Sequence, residues 1–567
     1  MAPHFYLSNM NPIISRFWLA FAAVALSLAW ILPNHSIPWL GFHGDAWCST
    51  ILLIVSIFIF ARKNFEMQWS IASATCLFIA TIPALQYIFN LIPIFGVAWI
   101  NATYIFGFSL AILTGAAWEK TTPNQVGDYL FLSIGIASAI SIGLQLHQFF
   151  RLDSIGPWIL MSSGTRHYAN MAQPNQLASL LLLGTLACWW GFWRKLIGPY
   201  TALLIAALFL FGTALTESRT AWLNVMLIVV ASLIWHKLIP SKSFIYGILG
   251  LSIFFAVCVL NLTTINEALG GGLPVEYRSA SNDPRWAAWV MFLKAAVHEP
   301  FFGFGWGQLG HAQFLMMDEK ISFGGSFLQA HNLFIDLILW NGIPLGLGIS
   351  IFLIWWFLST AKNLTNLAQL MSFLFLMVLG VHSMLEYPLQ YAYFLLPAGM
   401  IMGSLETSLN HKSIRISHKF PIIVVLILGI CALPITIRDY FRVEDSFYGL
   451  RFEQKKIASD YPKTPPDVIA LTQWRDYIIF ARMEPTPNIN PDRIAWMKNL
   501  VSTVPSAYGM YKLASFLAVN DSPLEASQWL RRLCQTSPSD QCEIIRNEWA
   551  SQSEMNSKIG GIPWPNK

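Results

Sequence analysis

Thirteen apolar stretches of about 20 residues each fill the first 437 positions of this 567-residue chain, far more than one water-soluble core can bury. They lie near residues 14–32, 45–61, 69–90, 98–118, 127–148, 175–191, 198–214, 220–238, 243–261, 331–358, 366–382, 386–405 and 419–437. A helix needs roughly 20 apolar residues to cross the hydrocarbon core of a bilayer, so each stretch is predicted to span one. Charge agrees. Of the 65 charged residues, 31 fall in the last 130 positions, Arg438–Lys567, which leaves the long apolar part without the polar surface that water demands. The stretch at 14–32 exceeds the ~7–15-residue core of a signal peptide. No small-x-small cleavage pattern follows it, so it reads as the first span. The expected class is an all-α polytopic membrane protein with about thirteen transmembrane helices.

Positive charge orients the spans. With the N-terminus in the cytoplasm, the cytoplasmic segments hold Arg16, Arg62, Lys63, Lys120, Arg194, Lys195, Lys237, Lys242, Lys362, Lys412, Arg415 and Lys419. The short outer connections and the loop near 149–174 hold only Arg151, Arg166 and Arg219. This is the bias expected of an inside-positive topology, and it puts the C-terminus outside the cytoplasm. Four regions follow: N-terminal spans 1–261, a large outer loop 262–330, C-terminal spans 331–437, and a soluble outer domain 438–567.

Within the outer loop, Gly270, Gly271 and Gly272 mark a turn, and Asp283-Pro284 reads as a helix cap followed by a first-turn proline. A helix from Pro284 to His298 would carry Trp286, Trp289, Val290 and Leu293 on one apolar face and lie along the membrane surface. Pro300, Gly303, Gly305 and Gly307 end it in an irregular loop. In the tail, Arg493–Leu517 and Pro523–Gln552 read as amphipathic helices broken at Pro505 and Pro523. Five cysteines sit singly in apolar stretches as packing residues. Cys534 and Cys542 are either a disulfide or two unrelated thiols, and an extracytoplasmic tail favours the disulfide.

Polar groups at membrane boundaries are costly, on the order of 2.5–3.5 kcal/mol on insertion scales, and so point to function. Arg151, Arg166 and Arg219 stand on the side that positive charge avoids, and the guanidinium fork suits phosphate. Interfacial anchoring, or pairing such as Arg219 with Glu217, is the structural alternative. His331 opens a span and is followed by Asn332. A histidine there can take a proton from a hydroxyl nucleophile near neutral pH. Gln173-Pro174-Asn175-Gln176 sets amides on both sides of a helix-start proline. His382 and Glu386 fall on a short outer turn before Tyr387-Pro388. No P-loop occurs, no strand precedes Gly303-Phe304-Gly305-Trp306-Gly307, and no His, Cys and Asp residues have metal-ligand spacing. No cofactor and no metal are expected, and no basic stripe suggests nucleic acid.

The stretch Arg166-His167-Tyr168-Ala169-Asn170-Met171-Ala172-Gln173-Pro174-Asn175-Gln176-Leu177-Ala178 resembles the Gly-Asn-x-x-Gln-Pro-Asn-x-x-Ala block of pilin-type protein O-oligosaccharyltransferases, with Ala169 in place of glycine. Arg285, Trp289, Pro300 and Gly303-Phe304-Gly305 resemble the large outer loop of O-antigen ligases and polymerases. His331-Asn332 followed by Gly342 resembles the ligase signature beyond it. The next glycine is Gly346 and no Thr-x-Arg follows, a departure from the lipopolysaccharide ligases. Tyr387-Pro388-Leu389, Tyr393 and the helical tail are similar to the protein-glycosylating branch.

This resemblance implies a bacterial inner-membrane enzyme with a periplasmic active site, loop and C-terminal domain. It would transfer a glycan en bloc from undecaprenyl pyrophosphate to Ser or Thr of a pilin or another exported protein. It implies His331 as the catalytic residue, and Arg166, Arg219 and Arg285 as the pyrophosphate-binding set. Gln173, Asn175 and Asn332 would position sugar or loop. The absence of an Asp-rich outer motif suggests metal-independent chemistry, and direct displacement would invert the anomeric centre. An O-antigen ligase or polymerase acting on lipid-linked glycan is the alternative. A transporter or flippase is a further one, although no inverted repeat is visible in the sequence.

Overall fold

The computed structural model of the chain describes residues 12–61, 67–152, 156–161, 166–270, 284–317, 325–409, 413–416, 420–562 and 564–565. Each apolar stretch carries a helix: Pro12–Ser27, Phe42–Phe60, Ile71–Ile88, Phe95–Thr121, Gln125–Phe149, Pro174–Trp193, Pro199–Leu215, Arg219–Ile234, Lys242–Leu260, Leu333–Lys362, Leu367–Ser383, Ala392–Ser408 and Phe420–Gln454. Among the described residues, 8 helices are long and apolar enough to cross a membrane, and the shorter apolar ones include Pro199–Leu215, Arg219–Ile234 and Leu367–Ser383. The chain is a multi-pass membrane protein.

Helix starts follow local chemistry. Ser218, Ser241 and Asn366 each accept a backbone N–H from the first turn that they cap, and Pro174 and Pro199 occupy first-turn positions. Two boundaries differ most from the sequence reading. The helix expected from 386 begins at Ala392, because Pro388–Gln390 forms a 3-10 turn first. The last apolar stretch does not end its helix at 437; the helix continues to Gln454. Hydropathy marks where the apolar surface stops; the helix continues past that point because Tyr440, Val443 and Leu450 recur at helical spacing and are buried. A short antiparallel pair joins Met67–Ser70 to Ser413–Ile416, Met67 opposite Ile416. Period-two patterning does not announce four-residue strands.

Two compact units interleave along the chain. The first comprises Met1–Phe78, Tyr104–Arg278 and Trp355–Leu433, the second Ile79–Thr103, Ser279–Ile354 and Pro434–Lys567. At the centre of the first is Pro174–Trp193, packed against Gln125–Phe149, Pro199–Leu215, Arg219–Ile234 and Leu367–Ser383. Its leucines from Leu180 to Leu183 are all buried. Helices come this close where side chains are small: Ser138 reaches past Gly184 and donates to the Leu180 carbonyl at 3.0 Å.

In the second unit, Pro284–His298 is helical over the expected range; Asp283, its expected cap, lies outside the described residues. Its inward face is Ala288, Met291, Phe292, Ala295 and Ala296. The apolar face expected from sequence is divided. Trp286, Val290 and Leu293 are exposed, while Trp289 turns inward and donates to the Ala330 carbonyl at 2.9 Å. Trp289 follows Trp286 by three residues, which on a 100°-per-residue wheel brings it to the edge of the buried stripe.

The glycine-rich loop after this helix locks onto a kink in Leu333–Lys362. Phe304 N–H donates to Leu339 and Ile343 N–H to Pro300, both at 2.7 Å. Gly303 and Gly342 have φ of +68° and +78°, and a Cβ on either would run into the other segment's backbone. Glycine is required at both for conformation and for space.

The tail is helical at Thr472–Arg482, Pro491–Thr503, Ala507–Val519, Pro523–Thr536 and Ser539–Met555. The expected Pro523–Gln552 helix is thus divided, at Pro538. Cys534 and Cys542, one on each side of that break, are disulfide-bonded.

Candidate active site

The residues singled out from sequence fall in both units: Arg166, Gln173, Asn175 and Arg219 in the first, Arg285, His331 and Asn332 in the second.

In the first unit, Gln148 and Asn170 shape the loop that leads into Pro174–Trp193. The Gln148 amide accepts from Tyr168 and Ala169 N–H at 3.0 and 2.8 Å and donates to the Ala169 and Leu160 carbonyls at 2.9 and 2.6 Å. Asn170 accepts from Leu160 N–H at 2.9 Å and donates to Ile31 and Trp158 carbonyls at 2.7 and 2.9 Å. This network holds Ala169 at φ +50°, the left-handed region. Alanine there costs roughly 1–2 kcal/mol, a penalty that glycine escapes.

Gln173 caps the next helix, accepting from Gln176 N–H at 2.9 Å. Asn175, on its first turn, joins two charged residues distant in sequence. It accepts from Arg166 Nη2 at 3.1 Å and donates to Glu386 at 2.9 Å. Arg166 Nε also donates to the Thr216 carbonyl at 2.8 Å, in the turn that opens Arg219–Ile234. Two bonds to fixed neighbours orient the half-buried guanidinium. Behind it, Gln176 accepts from Tyr393 hydroxyl at 2.8 Å, and Ser179 is bonded to His382 Nδ1 at 2.7 Å.

In the second unit, His331 is half-buried at φ +57°. Its neighbours fix that conformation. Asn332 caps the following helix, accepting from Phe334 and Ile335 N–H at 3.1 and 3.2 Å. Buried Asp336 accepts from Ala330 N–H at 2.7 Å, and Trp289 holds the Ala330 carbonyl. The imidazole meets the Phe327 ring edge-on at 5.9 Å.

Three families match parts of the chain: "Protein glycosylation ligase" over residues 168–190, "O-Antigen ligase" over 204–350, and "Virulence factor membrane-bound polymerase, C-terminal" over 370–547. The first covers Asn170, Gln173 and Asn175; the second covers Arg219, Arg285, His331 and Asn332. The chain is 27% identical over 531 residues to a general O-oligosaccharyltransferase of Acinetobacter baylyi, with 91% of each chain covered. It is 26% identical over 435 residues to the ComP-specific O-oligosaccharyltransferase of the same organism, covering 75% of this chain and 78% of that one. The chain is a glycosyltransferase, related to the protein O-oligosaccharyltransferases. No solved structure matches it significantly.

The remaining candidates of this glycosyltransferase separate into two kinds. Arg219 and Arg285 stand at the starts of their helices, each half-buried. Arg151 is exposed, at φ +51°. Burial, and secondarily the Arg151 charge, lower the His167 pKa to about 4, so His167 is neutral at physiological pH. His382 and Glu386, placed by the sequence on a short outer turn, are buried and hydrogen-bonded inside the first unit. Among the described residues, no group of three or more His, Cys, Asp or Glu is placed to hold a metal.

Sequence reading missed the support roles of Gln148, Asn170 and Asp336. A visible signal existed for Asp336: a carboxylate in an apolar span needs donors, and the N–H of a residue just before the helix lies within its reach.

Proposed function

We propose that this glycosyltransferase moves an oligosaccharide en bloc from undecaprenyl pyrophosphate to Ser or Thr of a pilin or another exported protein, at the periplasmic face of the bacterial inner membrane. The observation that carries the catalytic assignment is the support around His331. A non-glycine residue in the left-handed region persists only where its surroundings over-determine it, and here Asn332, Asp336 and Trp289 do so. Strained residues cluster at active sites, ligand clamps and switch regions; among the described residues His331 is one of eleven non-glycine residues at positive φ.

In the reaction, the bond from the anomeric carbon to the pyrophosphate oxygen breaks as the acceptor hydroxyl oxygen attacks the same carbon. His331 accepts the hydroxyl proton. Arg166 and Arg219, with Arg285, stabilise the charge that grows on the departing pyrophosphate. Asn175 holds the Arg166 guanidinium in place, and Gln173 and Asn332 hold the two loops. Direct displacement inverts the anomeric centre, and the scheme calls for no metal.

Thirteen spans, a cytoplasmic N-terminus, a periplasmic loop 262–330 and a periplasmic domain 438–567 complete the reading. The Cys534–Cys542 disulfide supports an oxidising compartment for the tail. Trp286, Val290, Leu293 and Val297 recur at helical spacing and are exposed, which suits a helix lying against lipid.

The test is expression in a bacterium that makes a lipid-linked glycan, together with a candidate pilin, and intact-mass measurement of the pilin. A gain of one glycan mass, lost with His331→Ala while the protein still inserts, supports the reading. The polymerase-family match over 370–547 favours a second outcome: an unmodified pilin and longer glycan on the carrier or on lipopolysaccharide would replace protein transfer with polymerase or lipid-ligase activity.

A further inference from the structure

Gln313 lies in the short helix Leu309–Met317, and its side chain is 0% exposed. Its amide makes two bonds of opposite kind to one strand of backbone. Nε2 donates to the Gly325 carbonyl at 3.0 Å, and Oε1 accepts from Phe327 N–H at 2.9 Å. Only a side chain with both a donor and an acceptor satisfies this pair: a carboxylate lacks the donor and an ammonium lacks the acceptor. The backbone so held carries Phe327, whose ring sits between Phe292 at 5.7 Å and the His331 imidazole at 5.9 Å, edge-on to both.

The helix that carries Gln313 is itself braced. Leu309, Ala312 and Met316 pack with Met291, Phe292 and Leu339. On another side the helix meets the tail: Thr503 donates to Gln308 at 3.0 Å, and Phe314 meets Trp529 at 5.2 Å. Arg532 lies over both of those rings, at 5.7 and 4.8 Å.

We propose that Gln313 is a positioning residue for the transfer reaction: with Phe327 it fixes the His331 ring, and the C-terminal domain is the support against which it does so. This rests on the catalytic reading of His331. Asp336 and Asn332 set the backbone at His331, whereas Gln313 acts on the ring through Phe327. A catalytic group displaced by about 1 Å loses on the order of a hundredfold in rate.

The test uses the full-length chain with Gln313→Met, which keeps the shape and removes both bonds. Transfer to an acceptor peptide should fall on the order of tenfold to a hundredfold in kcat, with acceptor KM unchanged. Acylation of His331 by diethyl pyrocarbonate, read by mass spectrometry, should accelerate several-fold while buried His382 stays as slow as in the parent. A general loss of structure would expose both histidines. If Gln313→Met does not accumulate folded, Phe327→Leu interrogates the same ring contact with the Gln313 bonds intact, and the same pair of readouts applies. Parental kcat and parental His331 labelling in the folded variant overturn the proposal. Activity retained by His331→Ala overturns the catalytic reading instead; an inactive His331→Ala beside a fully active Gln313→Met overturns only the role of Gln313.

Discussion

Around Arg166, polar side chains bond to one another as well as to backbone; around His331, the supporting side chains bond to backbone. Arg166, Asn175 and Glu386 form a relay of side chains from two connecting segments and a helix start. Asn332, Asp336, Trp289 and Gln313 instead each grip an N–H or a carbonyl of residues 325–335. The first arrangement fixes the direction of a charge. The second fixes the course of a chain, and through it the place of one imidazole. In the proposed reaction Arg166 stabilises charge and His331 accepts a proton; the two roles need different things from their surroundings, and the two regions differ accordingly.

The sharpest way to break this contrast is to remove the charge and leave the fold. Arg166→Ala should lower transfer by on the order of 10²–10³-fold, the scale for loss of one transition-state donor. Asn175→Leu, which keeps the guanidinium and removes one of the bonds that direct it, should cost less. Equal losses would mean that the relay serves folding rather than charge, and steady-state rates with purified donor decide the matter.

The next effect is at Asp336. Replacement by Leu leaves the Ala330 N–H buried without its acceptor, a cost of about 1–3 kcal/mol. Transfer should fall with little change in donor affinity. Asn, which keeps an acceptor oxygen, should restore most of the rate. A donor-affinity defect from Asp336→Leu would erase the distinction between the two regions.

Acid should then weaken both units. His167 in the first and His311 in the second have pKa values lowered to about 4, in both cases chiefly by burial. Between pH 6.5 and 4 the unfolded chain takes up protons that the folded one refuses, so their contribution to stability is full above about 6.5 and is lost as pH falls toward 4. The melting temperature should decline by a few degrees over that window from these groups. Replacing His167 and His311 by Gln should flatten the decline.

The smallest effect is at Ala169. Glycine removes a left-handed alanine but adds about 0.5–1 kcal/mol of unfolded-state entropy. Ala169→Gly should stabilise by less than about 1 kcal/mol and leave the rate unchanged, as thermal melting beside an activity assay will show.

Much of this molecule was legible because the bilayer imposes a length on every apolar stretch. The helices at Pro174 and Pro199 begin where proline and its neighbours required. Gln-Pro-Asn was visible as a block because its residues are adjacent. The partners were not: Glu386 lies 211 residues from Asn175, and one sequence carries no signal for that pairing. Gln313 was hidden for the same reason, since a buried amide in a short helix looks like any solvent-facing one. The long helix through Gln454 escaped because polarity, not helicity, changes at 437.

The most direct test of the central claim is to reconstitute the purified chain in liposomes with a defined lipid-linked oligosaccharide and a pilin acceptor, and to follow both products by mass. The account predicts one intact glycan on a serine or threonine for each lipid pyrophosphate released, and neither product with His331→Ala. Full transfer by His331→Ala, or a lengthened lipid-linked glycan beside an unmodified acceptor, would contradict it.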